Sequence, residues 1–135
     1  MIRKLSVLLA CLLAGPAPAQ DAAAGARAFA ACTACHAVIA PDGTVLRGGG
    51  RAGPNLYGAA GALAGRQAGF NYSPWLRRLG DAGVHWTPDT FAAYLRNPTE
   101  FTKAQLGESS ARSRMAFRMD RSAADIHAYL ASLER

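Results

Sequence analysis

A Cys-x-x-Cys-His run at residues 32–36, CTACH, restricts this chain more than any other stretch. Two thiols three positions apart, with an imidazole directly after them, have three known uses: a redox dithiol, half of a zinc site, or covalent attachment of a haem. Each use demands something different of the remaining residues. A structural zinc site takes four ligands, and beyond the motif the chain offers His85 and His127 but no second cysteine pair. A thioredoxin-like dithiol sits at a strand-to-helix junction in a βαβ unit, and no segment here reads as such strands. Haem attachment makes neither demand. Each thiol adds across one porphyrin vinyl group, the spacing lets both sulfurs reach one edge of the ring, and His36 falls beneath the iron as an axial ligand.

The N-terminus explains the third cysteine. A basic start (MIRK), an apolar run (LSVLLACLLAG) and a small-residue ending (PAPAQ) follow the order of an export leader. Cleavage is expected after Ala19, leaving a domain over residues 20–135. The apolar run is well short of the roughly 20 residues that span a bilayer, so a retained anchor is the weaker reading. Cys11 leaves with the leader, and Cys32 and Cys35 enter an oxidising compartment, which for a bacterial chain is the periplasm. Arg3 and Lys4 leave as well, so the net charge falls from +6 to +4. That excess suits an acidic partner surface. An exported chain without a dense basic helix is not expected to bind nucleic acid.

The mature chain shows no internal repeat and no second domain. Asp21 is placed to cap a helix running through AAAGARAFAACTACH. Residues 41–72 are rich in glycine and hold little periodicity, yet they carry Leu56, Tyr57, Phe70 and Tyr72, as loops wrapped around something would. TPDTFAAYLRNP reads as a helix: Thr87 caps it, Pro88 takes the first turn, Asp89 adds a favourable charge, and Asn97-Pro98 ends it. FTKAQLGESSARSR reads as a polar stretch of weak structure. A last helix is expected from Ser122, with Asp125 completing a capping box and Ile126, Tyr129, Leu130 and Leu133 forming one apolar stripe. The fold class is therefore all-α, with long loops around one haem.

A haem iron held by His36 has a second axial position to fill. Met115, Met119, His85 and His127 are the candidates in the mature chain. Met119 lies next to the last helix, where packing is the usual role of a methionine. Met115 follows a polar loop that can reach over a flat disc, and it is the favoured ligand.

Taken in order, these segments resemble class I cytochrome c, and its larger bacterial periplasmic members most of all. GARAFAACTACH is similar to the family's first helix and haem motif, and ADIHAYL (124–130) to the C-terminal helix that crosses the first near Gly25 and Phe29. The resemblance implies further roles. In GPNLYG (53–58) the Pro54 carbonyl would accept a hydrogen bond from His36. In GFNYS (69–73) Tyr72 would meet a haem propionate, as would Trp86. Tyr94 would bond the sulfur of Met115, and in SRMAF (113–117) Phe117 would flank the exposed haem edge. Two departures stand out. Ala62 occupies the place of a propionate-binding arginine, with Arg66 nearby. Arg51, Arg112, Arg114, Arg118 and Arg121 fall where most members carry lysines around the haem edge.

The resemblance implies a monomeric one-electron carrier of the respiratory chain rather than an enzyme. Its donor would be a cytochrome bc complex or a periplasmic dehydrogenase. Its acceptor would be a terminal oxidase or a photosynthetic reaction centre, docked briefly through the basic edge. The alternative is a haem protein with a labile methionine that binds small ligands or performs peroxidase-type chemistry.

Overall fold

Asp21 starts the first helix as its composition suggests. In the computed structural model, which describes residues 20–134, its carboxylate accepts the N–H groups of Ala23 and Ala24 and caps α1, Ala22–Ala28. The leader expected over residues 1–19 lies outside the described residues. α1 is shorter than the expected run through His36. It tightens into a 3-10 turn over Phe29–Cys32, and the chain then turns through residues 33–35. The Thr33 hydroxyl donates to the Ala30 carbonyl at 2.8 Å, a local bond of the kind that competes with helix continuation.

A small antiparallel ribbon follows, β1 (Val38–Ile39) against β2 (Val45–Arg47), with a bulge between its two registers. Three helices come next: α2, Pro74–Asp81; α3, Pro88–Arg96; and α4, Pro98–Leu106. Each starts with a hydroxyl or amide cap and a proline, from Ser73, Thr87 and Asn97 respectively. α4 corrects the expectation of weak structure over FTKAQL. Asn97, which ends α3, also caps α4 by accepting the N–H of Glu100, and Phe101 and Thr102 are buried beneath an otherwise polar surface.

α5, Ala123–Ser132, closes the chain, but without the expected capping box. Ser122 adopts φ +64°, and its side chain makes no cap bond. Asp125 is used elsewhere: its carboxylate accepts the backbone N–H of Asp21 at 2.9 Å, tying α5 to the start of α1.

α1 and α5 pack directly against one another. A β-carbon at Gly25 would collide with the Asp125 carbonyl, so glycine permits the close crossing. Phe29 meets Tyr129 with ring centroids 5.6 Å apart, and the stripe of α5 buries Ile126, Tyr129 and Leu130 with Val38. Fully buried side chains such as Ile126 and Leu130 contribute about 1.5–3 kcal/mol each. A second core gathers Ala64, Leu79, Val84, Tyr94 and Phe101 from α2, α3, α4 and the intervening loops. The all-α architecture with crossed terminal helices stands. No helix among the described residues is long and apolar enough to cross a membrane.

Candidate functional site

Side chains from both cores line one cavity of about 650 Å³. Cys32, Cys35 and His36 form one part of its wall, and Pro54, Tyr72, Trp86, Tyr94, Met115 and Phe117 form others. All nine residues singled out in the sequence are thus brought to one space. The remaining wall is mostly apolar, with Leu56, Phe70, Leu76 and Leu95 prominent.

The motif is presented by its turn. The N–H groups of Cys35 and His36 both donate to the Cys32 carbonyl, at 3.1 and 3.0 Å. The glycine-rich loop then folds back on this turn: Gly50 N–H donates to Thr33 and Gly53 N–H to Cys35, each at 2.8 Å. The loop is therefore a lid over the motif rather than a linker. Asn55 pairs with Ile39 through both its amide groups, at 2.9 and 2.8 Å, and so fixes the neighbouring Pro54 carbonyl. His36 Nδ1 donates to that carbonyl at 2.7 Å. The bond sets the tautomer, leaving Nε2 with its lone pair. Burial, offset in part by this bond, lowers the His36 pKa and so favours the neutral ring. A neutral imidazole with a fixed Nδ1–H is the form that ligates a metal. Cys35 is exposed and Cys32 half-buried, and burial pushes the Cys32 thiol up.

Gly53 was not singled out in the sequence. A β-carbon there would strike the His36 ring, so its place directly before Pro54 is the signal that could have found it.

The methionines separate cleanly. Met115 lines the cavity and packs on the second core beside Tyr94 and Trp86. Met119 packs on the first core, and its N–H donates to Leu95 at 2.8 Å. His85 and His127 do not line the cavity; they donate to the carbonyls of Gly61 and Trp86, at 3.0 and 2.7 Å. The hydroxyl of Tyr94 departs from the expected contact with Met115. It lies 2.7 Å from the Ser113 hydroxyl, and Ser113 in turn accepts the Met115 N–H at 3.0 Å. Ser113 is a second residue the sequence reading did not isolate. Burial pushes the Tyr94 phenol up, with the Ser113 bond pulling it back in part.

Tyr72 is buried, and its ring meets Phe70 at 4.9 Å. Trp86 packs on Tyr94 at the same centroid distance, 4.9 Å. Arg66 reaches the cavity wall near Ala62, and its guanidinium pairs with Asp81. At the mouth, Phe117 is 40% exposed. Arg112 and Arg114 line the cavity and are exposed, and Arg51, Arg118 and Arg121 are exposed as well.

The residues fit a haem. A cavity of about 650 Å³ lies in the size range of cofactor sites, two thiols sit at its wall, and an imidazole and a thioether can supply axial ligands to iron.

Comparison with known proteins agrees. The chain is 41% identical over 128 residues to cytochrome c2 of Rhodobacter capsulatus, covering 95% of this chain and 93% of that protein. It is 42% identical over 135 residues to cytochrome c-551 of Roseobacter denitrificans, covering 98% and 96%. The solved structure of Rhodobacter capsulatus cytochrome c2 superposes with a TM-score of 0.81 at 41% identity, over 85% of this chain and 99% of that one. Ferric cytochrome c-550 of Paracoccus versutus gives 0.81 at 34% identity, over 87% and 100%. No protein-family model matches the chain.

Proposed function

The chain belongs to the class I cytochrome c family, beside the bacterial cytochromes c2 and c-550, and from that premise we propose that it shuttles single electrons between membrane redox complexes of the periplasm. It is a mono-haem electron-transfer protein and not an enzyme, with one haem c held covalently through Cys32 and Cys35. When bound, the haem supplies an iron that alternates between ferrous and ferric states.

The observation that carries this reading is that His36 and Met115 line the same largely apolar cavity, with His36 already held in its metal-binding tautomer by Pro54. His36 and Met115 would hold its iron. Iron held by both residues would have no place left for oxygen or peroxide, which suits electron transfer. A thioether ligand and an apolar wall both favour the ferrous state and raise the reduction potential. Tyr72 and Trp86, in the cavity wall, would receive the propionates. Phe117, exposed at the mouth, marks where an electron enters and leaves.

Residues 1–19 are a leader removed on export, and residues 20–135 form the mature, monomeric carrier. Its donor is a cytochrome bc complex or a periplasmic dehydrogenase, and its acceptor a terminal oxidase or reaction centre. Arg51, Arg112, Arg114, Arg118 and Arg121 steer it to acidic surfaces on these partners. Such encounters use small interfaces, so charge speeds the meeting more than it tightens the complex. The labile-methionine alternative is less well supported, because the Met115 loop is held by side-chain hydrogen bonds on both sides of Arg114.

The test is a spectrum of the purified holoprotein. Haem that resists acid-acetone extraction, together with the ferric charge-transfer band of a sulfur–iron bond, is expected. Covalent haem without that band would overturn the closed-carrier reading.

A further inference from the structure

The loop that presents Met115 is tied down by side-chain hydroxyls. From Arg112 to Arg118, the backbone N–H groups with a partner among the described residues are those of Ser113 and Met115, and both partners are side-chain hydroxyls. Ser113 N–H donates to Thr99 Oγ1 at 3.1 Å, and Thr99 lies in the first turn of α4. Met115 N–H donates to Ser113 Oγ at 3.0 Å. The same Oγ shares a hydrogen bond with Tyr94 of α3 at 2.7 Å. A serine hydroxyl has one proton and two lone pairs, so it can satisfy Tyr94 and Met115 together. α3, α4 and the loop therefore converge on one serine, two residues from Met115.

We propose that Thr99 and Ser113 form a latch that holds the Met115 loop closed and sets how often the methionine leaves the iron. The inference rests on Met115 being the axial ligand. Thr99 and Ser113 act through Met115 and are positioning residues. Loop opening breaks the Ser113–Thr99 and Ser113–Tyr94 bonds, which tie the loop to α4 and α3, and an incoming ligand binds the open state alone. Its capture rate then reports the open population. Losing one neutral hydrogen bond from the closed state raises that population about three- to tenfold.

The experiment is stopped-flow capture of cyanide by the ferric holoprotein, with the sulfur–iron band and thermal unfolding recorded on each sample. Thr99→Val keeps the shape of the side chain and removes the acceptor. Ser113→Ala removes the hydroxyl, and Ser113→Thr restores it. Asp21→Ala loses the cap of α1 and lowers stability without touching the loop. The expected result is capture about three- to tenfold faster in Thr99→Val and Ser113→Ala, near the wild-type rate in Ser113→Thr, and unchanged in Asp21→Ala. Wild-type rates in both Thr99→Val and Ser113→Ala would overturn the latch, as would equal acceleration in Asp21→Ala. A wild-type ferric spectrum without the sulfur–iron band would overturn the Met115 assignment itself and the latch with it. Should a variant fail to assemble, amide exchange on the wild type decides. Slower exchange at Ser113 and Met115 than at Arg114 and Ala116 supports the latch, and equal rates overturn it.

Discussion

The Nδ1 of His36 lies 2.7 Å from the carbonyl oxygen of Pro54, and a carbonyl can only accept, so the proton sits on that nitrogen. The bond reaches between the motif turn and the returning loop and would make the imidazole a stronger donor to a bound iron. Gly53 is what allows the loop to approach so closely, since a β-carbon there would strike the ring. Gly53→Ala is expected to cost about 1–3 kcal/mol, as overpacking does. It should also raise the reduction potential, because a ring pushed off Pro54 is a weaker donor. Redox titration and thermal unfolding of the holoprotein check both effects.

The two methionines sit on different cores and should behave differently. Met115→Ala removes the sulfur–iron band and opens the iron to cyanide. Met119→Ala retains the band and costs about 1–2 kcal/mol, the loss of a half-buried side chain. A band that survives Met115→Ala and vanishes in Met119→Ala would reverse the assignment.

Much of this arrangement is legible in the residues, and the failures have physical reasons. Thr87, Pro88 and Asp89 announce α3 because cap, proline and charge all act within one turn. Ser73-Pro74 and Asn97-Pro98 carry the same start chemistry for α2 and α4. Asn97-Pro98 reads first as the end of α3, and α4 then hides behind a polar surface. On its inward face Phe101 packs against Tyr94 and Trp86, a contact that no local pattern records. The capping box at Ser122 fails because a left-handed residue at that position redirects the side chain. For the site, the type and spacing of Cys32, Cys35 and His36 carry the chemistry. The partner of the Tyr94 hydroxyl depends on the path of a loop with no periodicity, so Ser113 is found by geometry alone.

The cavity of about 650 Å³ has a mostly apolar wall drawn from both cores. Without the cofactor that wall faces water, which forfeits apolar burial at roughly 25 cal/mol per Å². An ordinary domain has only about 5–15 kcal/mol of stability in all. A chain with Cys32→Ala and Cys35→Ala, purified without haem, should lack fixed tertiary structure. Near-ultraviolet circular dichroism and urea unfolding would show no cooperative transition. A cooperative transition would mean that the two cores stand without the cofactor.

The exposed arginines predict a dependence on salt. At about 0.1 M ionic strength the screening length is roughly 10 Å, so attraction between Arg112, Arg114 or Arg118 and an acidic partner fades as salt rises. The second-order rate of electron transfer to an acidic redox partner should fall with ionic strength. Replacing Arg112 and Arg118 with glutamine should lower the low-salt rate and flatten its salt dependence, leaving the high-salt rate nearly unchanged. A salt-independent wild-type rate would remove the arginine patch from the docking account.

The buried phenols set the alkaline limit of stability. Burial holds Tyr94 above its ordinary value of 10.0, with the Ser113 hydroxyl pulling the other way. Tyr72 is raised likewise by burial, offset in part by the backbone of Gln67. In the unfolded chain both phenols ionise near pH 10, while in the folded chain they keep their protons to higher pH. Above pH 10 the folded state therefore binds more protons, and stability falls as pH rises. The stabilising contribution is fully present below the unfolded pKa and is lost as pH climbs through the raised folded values. Urea unfolding of the holoprotein from neutral pH to about pH 11 should show the decline. Tyr94→Phe should flatten it, because phenylalanine cannot ionise in either state. The variant also leaves Ser113 with one partner fewer, so its stability at neutral pH should drop by about 0.5–1.5 kcal/mol. A decline equally steep in Tyr94→Phe and Tyr72→Phe would place its origin outside these two phenols.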